Sequence, residues 1–471
     1  MVFSSAIFLF AFLPAVLILY RLIPTIKYKN ILLALASLVF YAFGQLRYVP
    51  LFLLSVAINY GSGLLLMGGG EKRKTVLTLS VVLNLGILGL YKYADFTVSN
   101  LNGLLGTSMA LPGIVLPIGI SFFTFQGMSY TIDVYRDRDS GTRDFLKLLL
   151  YISFFPQLIA GPIVKYHDVA MQIDSRSVSS EELWRGVQRF IFGLAKKILL
   201  ANAVGAIADS IFNDCLPSGL TDAPLMWLGA VCYTLQIYFD FSGYSDMAIG
   251  LGRMFGFHFL ENFRFPYVSL SLKECWRRWH ISLSSWFREY LYIPLGGNRK
   301  GKGRTVIHKL LVFFCTGIWH GANWTFVFWG MGHGILSSLE DLGIIPVKRL
   351  EKYGWGRALG RMYTMLTVML LFVVFRADSL AAAFAMIGAM FRSPVTAEGL
   401  SVLRSLLTPA ACMALVAALL LCGRAGEWLH TRWEDKRGNL ALSAVSSIAL
   451  YLLSLCSLAG SGFNPFIYFQ F

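Results

Sequence analysis

Apolar stretches recur along the whole 471-residue chain, and this feature leaves few folds open to it. Hydrophobic residues make up 56% of the sequence and charged residues only 14%, whereas soluble domains carry about 25% charged residues. A helix that crosses a bilayer needs about 20 largely apolar residues and satisfies its own backbone hydrogen bonds. We therefore predict an all-α, polytopic integral membrane protein whose residues 1–471 form a single membrane-embedded domain.

Hydropathy and length place thirteen candidate membrane segments. Because several are short, we expect about 11 transmembrane helices, with the other segments re-entrant or interfacial. The first segment lacks a basic region before it, so we expect an uncleaved helix and not a signal peptide. The candidates are residues 3–20, 31–43, 49–67, 76–91, 114–130, 148–164, 190–211, 226–251, 310–336, 362–375, 380–391, 410–421 and 440–458.

Lysine and arginine predict the orientation. Short loops that carry basic residues, at 21–29, 72–74 and 136–143, alternate with loops that are nearly uncharged. Basic short loops stay on the cytoplasmic side, so the N-terminus and residues 100–112 are expected outside. The net charge of +15 fits loops near anionic lipid or an anionic cofactor.

Several function classes are disfavoured. Nucleic-acid binding would need a basic soluble module, and the sequence has none. The seven cysteines show no CxxC or Cys/His ligand spacing, so we interpret them as packing residues and expect no metal. The chain has no internal repeat, which weighs against repeat-built transporters. It also lacks a GxSxG elbow, a Walker loop and an obvious serine nucleophile.

Residues 272–298 combine an apolar stripe with a charged face. Leu272, Trp276 and Trp279 begin a series of apolar residues spaced by three and four, which predicts one amphipathic helix ending near Pro294. The segment is too charged to span a membrane. One interpretation is an interfacial anchor helix. The other is a helix that lines a site for an anionic, phosphate-bearing donor, with His280 turned toward that site.

A second polar position, His320, lies deep inside an apolar segment. A polar group there needs a partner or a function, and the flanking Gly317 and Gly321 would let backbone or ligand approach closely. His333 follows thirteen residues later, about 20 Å along one straight helix and on roughly the opposite face. The two imidazoles could meet only if the helix breaks. We interpret His333 as a structural residue, hydrogen-bonded across helices.

The segment from Tyr238 to Asp246 places two carboxylates, Asp240 and Asp246, in an apolar stretch. We expect them to bond to Tyr, Ser or an Arg of residues 272–298 and to shape a cavity; a protease-like carboxylate pair is the alternative. Pro156 and Pro162 predict a kinked helix near Gln157, a second candidate cavity group.

At these residues the chain resembles the membrane-bound O-acyltransferase family, and within it the bacterial alginate O-acetyltransferase-like branch. The resemblance covers essentially the whole chain and is strongest in residues 116–126, 238–246, 276–298 and 317–330, with a further typical run at 464–471. It implies a multi-helix fold around a central tunnel, with His320 as the essential residue and His280 as the second polar position. The other candidates for lining the tunnel or binding substrate are Asp240, Tyr244, Gln157, Arg277, Arg278, Ser284, Arg288, Asn323, Trp324 and His333.

The resemblance also implies transfer of an acyl group to a hydroxyl, often from a thioester. A neutral imidazole suits the general base for this step, and Arg277, Arg278 or Trp324 could supply oxyanion donors. Acetyl-CoA or another acyl thioester is the expected donor, with no permanently bound cofactor and the phosphates near residues 299–304.

The resemblance implies a location in the bacterial inner membrane. Polysaccharide-modifying members of this branch are similar to one half of a two-part system, in which a separate extracytoplasmic transferase carries the serine nucleophile. We therefore expect an SGNH-type partner and a polysaccharide acceptor such as alginate, reached directly or through that partner. Two alternatives stay open. One is an acyltransferase for peptidoglycan, cellulose, teichoic acid D-alanylation or a lipid, and the other is a non-catalytic transporter.

Overall fold

A computed structural model describes residues 1–435, 440–460 and 466–467. All regular secondary structure of the described residues is helical, and they contain no β-strand, as the sequence predicts. Of the run at 464–471, only Phe466 and Ile467 are among the described residues. The chain divides into two compact units, Met1–Phe190 with Ser245–Glu261 and Ile191–Tyr244 with Asn262–Phe471.

The first unit is built mainly from the N-terminal helices. Buried amides join two of them, because Asn59 and Asn84 exchange hydrogen bonds of 3.0 and 3.1 Å. Gly127 leaves room for this pair, since a Cβ there would lie 2.3 Å from the Asn59 amide nitrogen. Small residues and amide bonds of this kind are how helices associate within a membrane. The helices are α1 (Leu13–Leu22), α2 (Ile26–Gln45), α3 (Val49–Met67), α4 (Arg73–Leu105), α5 (Ile120–Arg136), α6 (Phe145–Ser153), α7 (Phe155–Leu158) and α8 (Tyr166–Asp174).

Two long helices, α9 (Ser180–Ala195) and α11 (Ala223–Met254), contribute residues to both units. The other helices of the second unit are α10 (Asn202–Ser210), α12 (Leu272–Arg278), α13 (Ile281–Phe287), α14 (Lys302–His320), α15 (Trp324–Leu342), α16 (Val347–Leu350), α17 (Gly354–Arg376), α18 (Leu380–Arg392), α19 (Ala397–Leu406), α20 (Pro409–Leu421), α21 (Arg424–Asp435) and α22 (Leu440–Gly460). Short 3-10 turns are Leu46–Tyr48, Arg138–Ser140 and Pro266–Val268, and π-helical turns are Phe8–Phe12, Lys196–Ala201, Ile211–Cys215 and Arg288–Tyr292.

By length and composition, five helical stretches among the described residues could cross a membrane, or seven if each of two bent pairs is one span. The bent pairs are α18 with α19, at 106°, and α20 with α21, at 73°. A multi-pass membrane protein is therefore confirmed, whereas the number 11 stays a prediction. The five stretches are Ile26–Met67, Arg73–Leu105, Ser180–Cys215, Gly354–Arg376 and Leu442–Gly460.

Helix breaks distinguish the structure from the sequence prediction. The break near Gln157 is confirmed, because α6 ends at Ser153 and α7 begins at Phe155 with proline in its first turn. Two further segments were predicted as continuous, and both predictions are wrong. Residues 272–298 form α12 and α13 with a break at Trp279 and His280, and residues 310–336 fold as the α14–α15 hairpin.

Candidate active site

The α14–α15 hairpin carries the histidine that the sequence singles out. His320 is the last residue of α14, and the chain then turns through extended Gly321. Asn323 begins α15 by accepting the backbone N–H of Thr325 on its side chain, at 3.1 Å. Asn is favoured at the start of a helix, because its side chain accepts one of the first backbone N–H groups.

Glycines let the two helices of the hairpin touch. A Cβ on Gly317 would lie 2.4 Å from the Phe326 carbonyl oxygen, and a Cβ on Gly330 would lie 2.4 Å from that of Phe313. Gly321 is equally restricted, since a Cβ there would meet the Phe326 ring at 2.1 Å. The close approach predicted for Gly317 and Gly321 is thus confirmed, although the neighbour is the returning helix.

The imidazole of His320 is held in one tautomer. Its side chain is 2% exposed, and Nδ1 lies 2.7 Å from the Thr316 carbonyl oxygen one turn earlier. A carbonyl oxygen can only accept a hydrogen bond, so Nδ1 must carry the proton. In the neutral ring the basic lone pair is then on Nε2, and any proton transfer by His320 uses that nitrogen.

His280 lies at the break between α12 and α13, with a left-handed backbone (φ +43°) that is rare for a residue with a side chain. Asn262 fixes this geometry. Its backbone oxygen accepts the Ile281 N–H at 3.0 Å, and its side-chain Oδ1 accepts from the Ser282 N–H at 3.2 Å and the Ser282 hydroxyl at 2.9 Å.

The same Oδ1 of Asn262 lies 3.2 Å from Nδ1 of His280. Because the Ser282 N–H points at it, this atom is the amide oxygen, so Nδ1 of His280 donates. Asn262 and His280 are both 0% exposed. His280 therefore resembles His320 in presenting Nε2 for chemistry, on a strained backbone of the kind that is retained at functional sites. The sequence reasoning missed Asn262.

Aromatic rings connect three histidines within the second unit. The ring centroids are 5.8 Å apart for His280 and Trp319, and 5.0 Å apart for Trp319 and His320. They are 4.8 Å apart for His320 and Trp329, and 5.2 Å apart for Trp329 and His333. The helix breaks after His320, which is what an approach of His320 to His333 required, and both imidazoles contact Trp329.

The surroundings of His333 differ from those that the sequence predicts. The side chain is 3% exposed, and within the described part of the chain its Nδ1 makes no hydrogen bond. Its neighbours are rings, with the Trp276 and Phe313 centroids at 5.2 and 6.4 Å. His333 is therefore packed by aromatic side chains, and among the described residues its Nδ1 makes no hydrogen bond across helices.

Asp240 belongs to a buried ion pair. Its Oδ1 lies 2.5 Å from Nζ of Lys197, and both side chains are at most 3% exposed. Its Oδ2 accepts the backbone N–H of Ile467 at 2.8 Å, while Phe466 packs edge-on against Tyr244 at 4.8 Å. The prediction of a buried polar network is confirmed for Asp240. The predicted partners are wrong, because Lys197 and the Ile467 amide take their place.

Asp246 also has a partner outside residues 272–298. Within the first unit it lies 2.6 Å from a guanidinium nitrogen of Arg189, which also reaches Glu261 at 2.6 Å. Gln157 lies in the same unit, 1% exposed, and its amide donates to the Tyr151 carbonyl oxygen.

The remaining candidates contact other groups or are exposed. Arg278 pairs with Glu274 and Glu427, each at 3.0 Å, whereas Arg277 and Arg288 are exposed. Ser284 reaches the Trp276 carbonyl oxygen at 3.4 Å. Asn323 donates to the Asp378 carbonyl oxygen at 3.0 Å, and Trp324 is 54% exposed. Among the described residues, no group of three or more His, Cys, Asp and Glu side chains could hold a metal ion.

The geometry supports proton transfer within a buried, aromatic surrounding. Two imidazoles have their Nδ1 atoms engaged by oxygen acceptors, which leaves Nε2 of each as the base. Such a site can activate a hydroxyl by general base catalysis.

Comparison with known proteins identifies the chemistry. The model of the membrane-bound O-acyltransferase family matches residues 119–350, which include His280, His320 and His333. Over its full length the chain is 39% identical to the probable alginate O-acetylase AlgI of Azotobacter vinelandii, which it also covers completely. The chain belongs to the membrane-bound O-acyltransferase family. It is therefore an acyltransferase, and the alternative of a non-catalytic transporter is set aside.

Other members of the family are similar over much of their length. The chain is 44% identical to the probable alginate O-acetylase AlgI of Pseudomonas aeruginosa, over 83% of this chain and 75% of the relative. It is 34% identical to the peptidoglycan O-acetyltransferase of Helicobacter pylori, over 83% of this chain and 80% of the relative. The names of these relatives thus specify acetyl transfer both for the alginate proteins and for the peptidoglycan protein.

Proposed function

We propose that this membrane-bound O-acyltransferase moves acetyl groups from a cytoplasmic thioester donor across the membrane, for O-acetylation of an exopolysaccharide such as alginate. His320 is the general base. The acetyl-transferring relatives support the acyl group, and the greater identity to the two alginate O-acetylases than to the peptidoglycan enzyme favours the acceptor.

The observation that carries the proposal is the hydrogen bond between His320 Nδ1 and the Thr316 carbonyl oxygen, 2.7 Å long. With Nδ1 protonated, Nε2 takes the proton of the attacking hydroxyl. The hydroxyl oxygen bonds to the thioester carbonyl carbon, and the carbonyl oxygen becomes an oxyanion. The oxyanion then collapses, the C–S bond breaks, and the thiolate leaves with the proton from His320. General base catalysis of this kind is worth about 10²–10⁴-fold.

His280 is proposed to orient the acceptor or the donor beside His320. Trp319 lies between the two imidazoles, and Asn262 keeps the His280 ring from turning. The donor is acetyl-CoA or another acyl thioester that binds only for the reaction. Exposed basic residues at 299–304 are proposed to meet its phosphates from the cytoplasmic side.

The orientation and partner follow from the same proposal. The chain resides in a bacterial inner membrane with its N-terminus outside, according to the distribution of basic loops. An extracytoplasmic SGNH-type transferase then takes the acetyl group to the polysaccharide, because the chain lacks an evident serine nucleophile of its own. A peptidoglycan acceptor is the second candidate, since the 34% identical relative bears that activity in its name.

Replacing His320 by Ala or Gln tests the proposal in cells that make normal amounts of the protein. We expect O-acetylation of the purified polymer to fall at least about 100-fold, from the loss of the general base. His308 provides a matched control, because it lies on the same helix and its Nδ1 also bonds to a backbone carbonyl oxygen, that of Gly297, at 3.0 Å. His308→Ala should retain acetylation.

Unchanged acetylation in both His320 variants would refute the assignment of the base. His280→Ala should cause a large but incomplete loss, and full activity would remove His280 from the site. Acetyl groups found on peptidoglycan, with none on the exopolysaccharide, would overturn the proposed acceptor and leave the chemistry standing.

A further inference from the structure

A line of buried polar groups follows one face of α15. Thr325, Trp329 and His333 are spaced by four residues, so they lie above one another on the helix. All three side chains are at most 3% exposed. Within the described part of the chain, no hydrogen-bond partner accompanies the Thr325 hydroxyl, the Trp329 indole N–H or Nδ1 of His333.

Three such groups in one line are unusual for a folded protein. More than about 90% of buried polar groups find a hydrogen-bond partner, because burial without one is costly. A buried indole N–H in particular is normally bonded. The line is about 12 Å long, from a rise of 1.5 Å per residue over eight residues. Its length and polarity match an extended ligand that brings several oxygen or nitrogen atoms.

The middle member of the line touches the proposed base. The Trp329 and His320 ring centroids are 4.8 Å apart, with the planes at 68°. Trp329 is 1% exposed, and Phe375 packs against it at 5.0 Å, which fixes the indole in place. An indole nitrogen can only donate a hydrogen bond. The Trp329 N–H therefore needs an acceptor oxygen within a few ångströms of His320.

We propose that the Trp329 indole N–H donates to the carbonyl oxygen of the acyl group that is being transferred, with Thr325 and His333 binding polar atoms of the same acyl donor. This inference rests on the proposed function. As the hydroxyl oxygen bonds to the carbonyl carbon, the carbonyl electron pair moves to oxygen, and the bond from Trp329 strengthens. When the C–S bond breaks, the pair returns and the bond weakens again. Trp329 thus stabilises the oxyanion, and it is a catalytic residue by contact with a reacting atom.

The test removes one hydrogen-bond donor and keeps the ring. Trp329→Phe retains an aromatic face, and incorporation of benzothienylalanine at position 329 retains the full shape, with sulfur in place of N–H. Membrane vesicles that contain the full chain and its cellular partners are supplied with radiolabelled acetyl-CoA, and acetyl transfer is measured against donor concentration. We expect kcat to fall about 100-fold or more, with a much smaller change in KM, because an oxyanion donor acts mainly in the transition state.

Trp276→Phe is the matched control. Trp276 belongs to the same cluster, with described ring contacts to Phe313, Trp329 and His333, and is half-buried. It should keep kcat near that of the parent. If the benzothienylalanine protein, present at the parent's level, transfers acetyl groups at the parent's rate, Trp329 is not the donor. If His320→Ala abolishes transfer in that same experiment, the proposed function survives and only this inference fails.

Discussion

Asn262 offers the most direct test of how the second histidine is held. The Asn262→Ala variant removes an oxygen that accepts from His280 Nδ1, the Ser282 N–H and the Ser282 hydroxyl, at 3.2, 3.2 and 2.9 Å. A buried hydrogen bond contributes about 0.5–1.5 kcal/mol net, so the three together predict a loss of about 1.5–4.5 kcal/mol of stability. If the whole free energy of the bond to His280 serves to position the His280 imidazole for the reaction, losing that bond alone should lower activity about 2- to 12-fold.

A double-mutant cycle with His280→Ala separates positioning from general damage. Polymer O-acetylation per molecule of protein is measured for both single variants and the double variant, with thermal unfolding in detergent recorded for each. If Asn262 acts through His280, the double variant should be about as active as His280→Ala alone, because removing the support of an absent imidazole costs nothing further.

Asn84→Ala controls for the loss of a buried amide. Asn84 is also buried and bonds to Asn59 and to the Ser80 carbonyl oxygen, at 3.1 and 2.8 Å, in the first unit. It should reduce stability by a similar amount, and its activity loss should multiply with that of His280→Ala. Losses that multiply for Asn262 in the same way would refute the positioning role.

Three further predictions concern packing, a buried charge and pH. Gly330→Ala should separate α14 from α15 and abolish activity, since the new Cβ would lie 2.4 Å from the Phe313 carbonyl oxygen. Gly388→Ala should leave activity unchanged in the same acetylation assay, because a Cβ there would have nothing within 4 Å apart from its own stretch of helix. Lys197→Met should lower the free energy of unfolding by about 3–5 kcal/mol, because it leaves the Asp240 charge buried without its lysine. The double variant Lys197→Met, Asp240→Asn should recover part of the lost thermal stability, because it removes that charge as well. His167 lies outside the spans, and its two ring N–H groups donate hydrogen bonds to the carboxylates of Asp133 and Asp168, which raise its pKa to about 10; the charged groups beside these carboxylates are Arg136 and Lys165. A histidine whose pKa is raised by folding stabilises the protein fully at pH values below its unfolded pKa of about 6.5, and this stabilisation is lost as the pH rises through the folded pKa. His167→Gln should therefore lower the melting temperature at pH 6, and the difference from the parent should shrink as the pH rises through 10.

Local patterns predicted the parts of the site that depend on residue type. An isolated histidine between glycines in an apolar segment is visible in the sequence, and the structure places Gly317 where the helices touch. The all-helical class likewise depends on residue type, because the high proportion of apolar residues predicts membrane-spanning helices. The family resemblance was confirmed over the full chain, and it concerned the same residues.

The helix break at His280 could not be predicted from its own segment. The apolar spacing continues in register from Leu272 through Trp286, so periodicity alone favours one helix. The competing interaction comes from Asn262, eighteen positions earlier, whose backbone and side-chain oxygens take the first N–H groups of α13. Asp240 is a similar case, because its partners Lys197 and Ile467 lie far away along the chain.

The bond from the Ile467 amide to Asp240 has a consequence for biosynthesis. The two residues are 227 positions apart, and a ribosome adding about 5–20 residues per second needs roughly 10–50 s to make that stretch. During this interval Lys197 and Asp240 have been synthesised, while the second oxygen of the Asp240 carboxylate still lacks its backbone donor. The second unit thus completes this part of its buried polar network only after Ile467 has been synthesised. A ribosome stalled before Phe466 would leave Asp240 paired with Lys197 but without this backbone donor, a form that quality-control proteases could distinguish from the fully bonded enzyme.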